Sequence, residues 1–392
     1  MSKTTLIIDG NFFLISRYKG AMREHTFFGT PDQQQQSVDK LLTVLSDSLS
    51  HIISSCINIC DDVVIVTDGG SWRKSIVTDD IMKKFKYTQY KSNRVKDTTI
   101  NWKLIFETFN KWVGLCNTKV GIKYLYGGDV EGDDWIYMVC NRLYSQNQNA
   151  IIFANDADLQ QLIKYNTKTG NYITYWNNKK NWLFVDENMY NDLNDFNNND
   201  TTSMFDQQML FELKNSRSEE YRQNLERIQQ WLTTSSITKN CNVIGKNPFK
   251  CAIIPKIICG DEGDNIYPIL YKKSKTTKDI HRLTEKKLTE IFDKYVTEIP
   301  TANNIEDIVN QIYSYFMTLP NSIKLEKNDF IELFNLNLRL VYLDQSSYPA
   351  YIVEKMLYCM SKLDFETTCC DIKACKNSTN IYINKSITEE IL

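Results

Sequence analysis

At 392 residues, with 42% hydrophobic and 12% aromatic content, the chain is long enough to fill two packed lobes and too apolar to be read as disordered. A formal net charge of −2 excludes a histone-like polycation, so an acidic partner must be met by local basic patches. Eleven cysteines in no paired framework suit free thiols in a reducing cytoplasm, and no run approaches the ~18 apolar residues of a membrane helix.

The chain opens on "TTLIIDG" (4 to 10), a strand whose apolar run is broken by Asp9 too early for a signal segment. A helical pattern follows from Val38 to Ile53, then a second strand, "VVIVTDGG" (63 to 70), and a basic run, "WRKSIVTDDIMKKFKYTQYKSNRVK" (72 to 96). A helix at Trp102 to Val113 precedes a strand in "GIKYLYGG" (121 to 128), and "VEGDDWIYMVC" (130 to 140) opens another helix on three acids. "AIIFANDAD" (150 to 158) is a further strand. Strands apolar on both faces and separated by helices belong in a parallel sheet, so residues 1–186 are expected to form an α/β domain. From 187 to 250 the composition turns to Asn, Asp, Thr and Gln, which reads as a linker or insertion. Residues 251–392 are expected to be a mostly helical lobe, with helices at Leu283 to Val296, Ile305 to Met317 and Ala350 to Ser361 and an acidic turn in "KIICGDEGDNIYP" (256 to 268). A helical pattern at Glu219 to Leu232 lies inside the linker region.

In an open parallel sheet the ligand crevice lies at the carboxyl ends of the strands, where Asp9, Asp68 and Asp156 fall. Asp158 follows in the same loop, and Glu131, Asp133 and Asp134 enter from the helix after the strand in "GIKYLYGG". Any one of these acids alone is more economically read as a turn or helix cap. Four separate segments delivering carboxylates to one edge need hard cations to offset the repulsion, and an all-oxygen set suits Mg²⁺ or Mn²⁺. Two such ions roughly 3.5 to 4 Å apart could clamp a scissile phosphate, one supplying hydroxide and the other stabilising the leaving oxygen.

Other chemistries lack support. The three histidines sit in no triad-like setting and no G-x-S-x-G occurs. "CCDIKAC" (369 to 375) lacks zinc spacing, and neither phosphate-binding glycine motif is present. Asp9-Gly10-Asn11 is not the D-x-D of a haloacid-dehalogenase-type phosphatase.

"IIDGN", "VTDGGSWRK", "VEGDD", "ANDADLQQLI" and "CGDEGDNI", in this order, resemble the 5′ nuclease (flap endonuclease) superfamily, most closely the ribonuclease H / 5′-3′ exonuclease of T-even-type bacteriophages. The likeness runs over residues 4 to 186 and resumes at about 250; "LRLVYLDQSSYP" (338 to 349) resembles the family's late helical region. It implies a PIN-like parallel sheet flanked by helices, a basic helical arch at about 72–100, and a helical lobe with a helix-hairpin-helix-like DNA-binding unit. It implies that Asp9, Asp68, Glu131, Asp133 and Asp156 surround a first metal ion and that Asp158, Asp261 and Asp264 serve a second, with Asp134 near both. By family position, Lys91 and Arg94 are the residues for transition-state charge, Arg73 is secondary, and Tyr90 stacks on a base. Lys74, Lys83, Lys84, Lys86 and Lys96 of the arch, and Lys272, Lys273 and Lys275 of a second basic stretch, would contact nucleic acid.

The implied activity is Mg²⁺-dependent 5′-3′ exonuclease, flap endonuclease and ribonuclease H cleavage that removes RNA primers or 5′ flaps during DNA replication. The implied substrates are DNA with a 5′ flap or nick and RNA:DNA hybrids. The enzyme is expected to be a cytoplasmic monomer with no membrane association, working beside a single-stranded-DNA-binding protein and a sliding clamp. The second basic stretch lacks the glycine-rich G-x-G-x-K-T-A turn that accompanies a potassium site in cellular members. Two other readings remain: a PIN-domain ribonuclease, shorter and without arch or helical lobe, and a catalytically inactive nucleic-acid-binding protein.

Overall fold

The computed structural model describes residues 2–85, 87–94, 97–197, 218–235, 238–246, 253–269, 271–273, 280–282, 305–318 and 325–363. They fall into two compact units, one of Met1–Gly70, Asp97–Lys246 and Ala350–Leu392, the other of Ser71–Lys96 and Asn247–Pro349. Among the described residues no helix is long and apolar enough to cross a membrane.

The first unit is built on an eight-stranded sheet. Strand β1 (Thr4–Asp9) is apolar on both faces and runs directly into helix α1 (Gly10–Ala21), which Asp9 caps by accepting from the Phe12 N–H at 3.0 Å. A Cβ at Gly10 would lie 2.7 Å from the Val66 carbonyl oxygen, so glycine lets α1 leave against the neighbouring strand. Helix α2 (Pro31–Cys56) starts on a Thr30–Gln33 capping box and buries Val38, Leu41, Leu42, Leu45, Leu49, Ile52 and Ile53 along one stripe. It delivers β2 (Asp62–Val66), which pairs parallel with β1. Helix α4 (Trp102–Val120), capped by Asn101 and stopped by Gly121 at φ 79°, leads to the edge strand β3 (Lys123–Leu125), parallel to β2. Helix α5 (Gly132–Ser145) then carries the chain to β4 (Asn149–Ala154) on the other side of β1.

The order β3-β2-β1-β4 grows one way from β1 and then reverses, so the topological switch point lies between β1 and β4. Every residue of β2 and β4 is buried, as sequence pattern predicts for central parallel strands covered on both faces. Between α2 and α4, Trp112 is fully buried and its indole N–H donates to Ser46 Oγ at 3.1 Å.

The sheet continues beyond the expected α/β boundary. β5 (Lys164–Tyr165) and β6 (Tyr172–Asn177) follow β4; β6 pairs antiparallel with β7 (Trp182–Asp186), and β7 pairs parallel with β8 (Asn242–Lys246). The region expected as a linker thus supplies α6 (Glu187–Asn197), α7 (Glu219–Thr234) and the edge strand β8. Its polar composition hides two anchors: Tyr165 and Tyr221 hydroxyls both donate to Asp192 Oδ2 at 2.6 Å, and Trp231 packs edge-on against Trp176 at 5.5 Å. Late in the chain, α11 (Ala350–Ser361) returns to pack on α5, with an Arg142 Nη1 N–H donating to the Met360 carbonyl at 2.9 Å.

In the second unit, the stretch that the resemblance implies to be a basic helical arch holds a 3-10 turn at Trp72–Ser75 and the seven-residue α3 (Asp79–Phe85). Helices α8 (Ile254–Cys259), α9 (Ile305–Thr318) and α10 (Lys327–Val341) form its core around Phe330, Leu333 and Phe334. Buried Asn337 on α10 donates to the Ile257 and Tyr267 carbonyls, each at 2.8 Å, and accepts from the Tyr87 hydroxyl at 2.9 Å. Where the resemblance implies a helical hairpin, β9 (Tyr271–Lys273) pairs antiparallel with β10 (Ile280–Arg282). The helix expected at 283–296 and the cysteine cluster at 369–375 lie outside the described residues.

Candidate active site

In the first unit, Asp9 at the end of β1 pairs in register with Val66 of β2, two residues before Asp68, and Ile8 pairs with Phe153 of β4, three before Asp156. Three carboxylates therefore leave adjacent strand ends at the switch point. Their proximity is felt electrostatically: burial, then the charges of Asp68 and Asp156, push the Asp9 carboxyl up to about 7. The hydroxyl of Tyr175, on β6, is raised mainly by burial and then by the charges of Asp156, Asp9 and Asp133.

Local bonds orient the acids. Asp68 accepts from the Asn11 side chain and, at 2.6 Å, from the Gly132 N–H at the start of α5. Asp156 accepts from the Asp158 N–H at 3.0 Å. Asp134 is fully buried and accepts from the Glu131 N–H at 3.2 Å, so it acts first as a helix cap; Glu131 is itself buried. Among the described residues no three His, Cys, Asp or Glu side chains are gathered closely enough to hold one ion. The donor chemistry nevertheless suits a hard divalent cation: all-oxygen ligands on strand ends, with the Asp9 carboxyl raised first by burial and then by its like-charged neighbours.

The backbone beneath these acids is closely packed. The Thr67 N–H donates to the Leu125 carbonyl at 3.0 Å and the Gly69 N–H to the Val130 carbonyl at 2.9 Å, bracketing Asp68. A Cβ at Gly69 would collide with the backbone of Gly127 and Gly128.

In the second unit, Asp261 and Asp264 lie in a turn closed by Gly260 (φ 67°) and by paired Asp261–Ile266 backbone bonds of 2.9 and 2.8 Å. Burial raises Asp261, but the Lys256 ammonium at 2.7 Å and the Gly263 and Asp264 N–H groups outweigh it and hold the carboxyl below its ordinary value. Asp264 is ion-paired with Arg94. The same two loops are joined by the Lys91 N–H to the Asp264 carbonyl (3.0 Å), Asn265 Nδ2 to the Gln89 carbonyl (3.1 Å) and to Ser92 Oγ (2.8 Å), and the Asn93 side chain to the Glu262 carbonyl. Lys91 takes φ 57°, a left-handed conformation, with its Nζ 4.8 Å from the Tyr90 ring centre.

The other basic candidates divide by exposure. Lys74 and Lys83 are exposed. Lys84 is bound to Asp329 (2.8 Å) and Glu332 (2.7 Å) of α10. Arg73 is buried over Trp72, 4.6 Å from its ring, and Tyr90 is 3% exposed and so presents little face to a base in this conformation. Lys86, Lys96 and Lys275 lie outside the described residues, as do the side chains of Lys272 and Lys273. Sequence reasoning missed Asn11, Lys256 and Asn265; only Asn11, in "DGN" directly after a strand acid, carried a local signal.

No family model and no curated protein matches the chain. Among solved structures it is similar to the bacteriophage T5 D15 protein co-crystallised with metal ions (14% identity, TM-score 0.45, 99% of this chain and 98% of that one). It is also similar to a T5 D15 flap endonuclease pseudo-enzyme–product complex with DNA and metal ions (15%, TM-score 0.45, 99% and 100%) and to a T5 5′-exonuclease with bound zinc (15%, TM-score 0.44, 99% and 98%). Identities this low leave the chemistry to this chain's own residues.

Proposed function

We propose that the chain is a divalent-metal-dependent 5′ nuclease that hydrolyses phosphodiesters near the 5′ end of a nicked or flapped duplex, RNA primers included. The observation that supports this most is that Asp9, Asp68 and Asp156 end or closely follow the adjacent strands β1, β2 and β4 at the sheet's switch point. A structural protein gains nothing from such crowding, which costs stability unless cations are bound.

Asp9, Asp68, Asp133 and Asp156, with Glu131 and Asp158 beside them, would hold Mg²⁺ or Mn²⁺; bound there, the ions would supply a hydroxide nucleophile and stabilise the leaving oxygen. Asn11 and the Gly132 N–H orient Asp68, and the Asp134 cap fixes the start of α5, the helix that carries Asp133. Asp261 and Asp264 are proposed to serve a second ion, and Lys91 and Arg94 to meet the charge that builds on the phosphate. Lys74 and Lys83 would take backbone phosphates.

Incubation with 5′-labelled flap, nick and RNA-primed duplexes in Mg²⁺ tests the reading. Short 5′ products support it; binding without cleavage in either Mg²⁺ or Mn²⁺ sinks it.

A further inference from the structure

We propose that Tyr126 is a stacking platform for one nucleobase of the substrate strand and that Lys355 contacts the adjoining phosphate. This rests on the nuclease reading and adds a subsite to it. Tyr126 directly follows β3 and is 57% exposed, one of few large aromatics so open among the described residues. Its ring already lies against Tyr124, with centroids 4.9 Å apart and an 11° angle between planes. Tyr124 is fixed in turn, its hydroxyl donating to Asn110 Oδ1 at 3.0 Å and sitting 3.0 Å from Thr67 Oγ1. Holding the ring this way removes much of the rotamer entropy that a base would otherwise have to offset on stacking.

The platform is tied to the acidic edge. Thr67, which anchors Tyr124, immediately precedes Asp68, and the bonds from Thr67 to Leu125 and from Gly69 to Val130 fix the turn of residues 126 to 129 against the loop that carries Asp68. Two glycines follow Tyr126 at φ 115° and 64°, leaving a low backbone beside the ring. Over Gly128 lies the exposed Lys355 of α11, whose ammonium occupies the place a Cβ on Gly128 would take. A base on an exposed, fixed ring with a cation one residue along is the pattern of sequence-tolerant single-strand binding.

The test uses the full chain in EDTA with flap oligonucleotides carrying 2-aminopurine at successive positions around the junction. Wild type and Tyr126→Phe are expected to quench one position. Tyr126→Ala and the size-conserving Tyr126→Leu are expected to lose that quench and bind about tenfold or more weakly. Lys355→Gln is expected to keep the quench and lower the salt slope of binding by about 1. If the wild type cuts flaps while Tyr126→Leu, folded to the same melting temperature, matches it in affinity and quench, the subsite is wrong and the nuclease reading stands. If the wild type neither binds nor cuts flaps, both fall.

Discussion

Arg94 forms an ion pair with Asp264, joining a basic loop to an acidic turn within one unit. If Arg94 meets charge on the scissile phosphate, Arg94→Ala should lower kcat on a flap substrate by about 10²-fold or more, the usual loss for one transition-state donor. Asp264→Asn should lower it too, and the double variant should lose less than the product of the two, because each single change already breaks the pair. Fully multiplicative losses would show that the two act independently.

Asp133→Asn and Asp156→Asn should bind a 5′ flap with affinity within a few-fold of wild type and cut it at least about 10³-fold more slowly, as expected when groups act as a unit in the chemical step. Electrophoretic binding and single-turnover cleavage on the same substrate decide this. Retained cleavage in either variant removes that residue from the site.

Asp9 gives a pH prediction for the metal-free protein. Its folded value of about 7 stands above the ordinary aspartate value, so the protonated form is favoured by folding. The stability it contributes is complete below about pH 4 and is lost as pH rises towards 7, by about 1.4 kcal/mol for each step of one in pH. In EDTA, Asp9→Asn should therefore raise the melting temperature relative to wild type at pH 8 and much less at pH 5, while abolishing cleavage when Mg²⁺ is restored. An equal rise at both pH values would contradict the raised Asp9 carboxyl, whose main cause is burial.

Away from the site, Asp62 and Lys123 form a buried ion pair between β2 and β3, their side chains 6% and 4% exposed. Lys123→Met should destabilise the chain by about 3 to 5 kcal/mol in urea unfolding, since it strands a buried carboxylate. Adding Asp62→Leu should recover most of the loss, whereas a double variant as unstable as the single would show that packing, not charge, is at stake.

Much of the acidic edge was legible because β1, β2 and β4 are short apolar runs followed closely by acid, a pattern that sterics and burial make nearly unambiguous. Helices at Trp102, Glu219, Ile305 and Ala350 carried clear periodicity and begin where it begins. What escaped was decided by distant contacts. α6 has a loop's composition and is helical because Met189 and Leu193, four residues apart, find a core. β8 is a strand because β7 offers an edge. Nothing in "YKSNR" announces that it is tied to the turn at 261–266, since those bonds join residues some 170 apart.

The unit that carries Asp9 is closed by chain from both ends: Arg227 donates to the Ser2 and Ile59 carbonyls beside the first strands, and α11 seals the helix that presents Asp133. A ribosome must therefore release the chain through Lys246 before that sheet can be completed, and through α11 before α5 is covered. Nascent chains that stop short of α11 would carry Asp9, Asp68, Asp133 and Asp156 without the helix that packs on α5, so folding of this unit should lag behind synthesis of its strands.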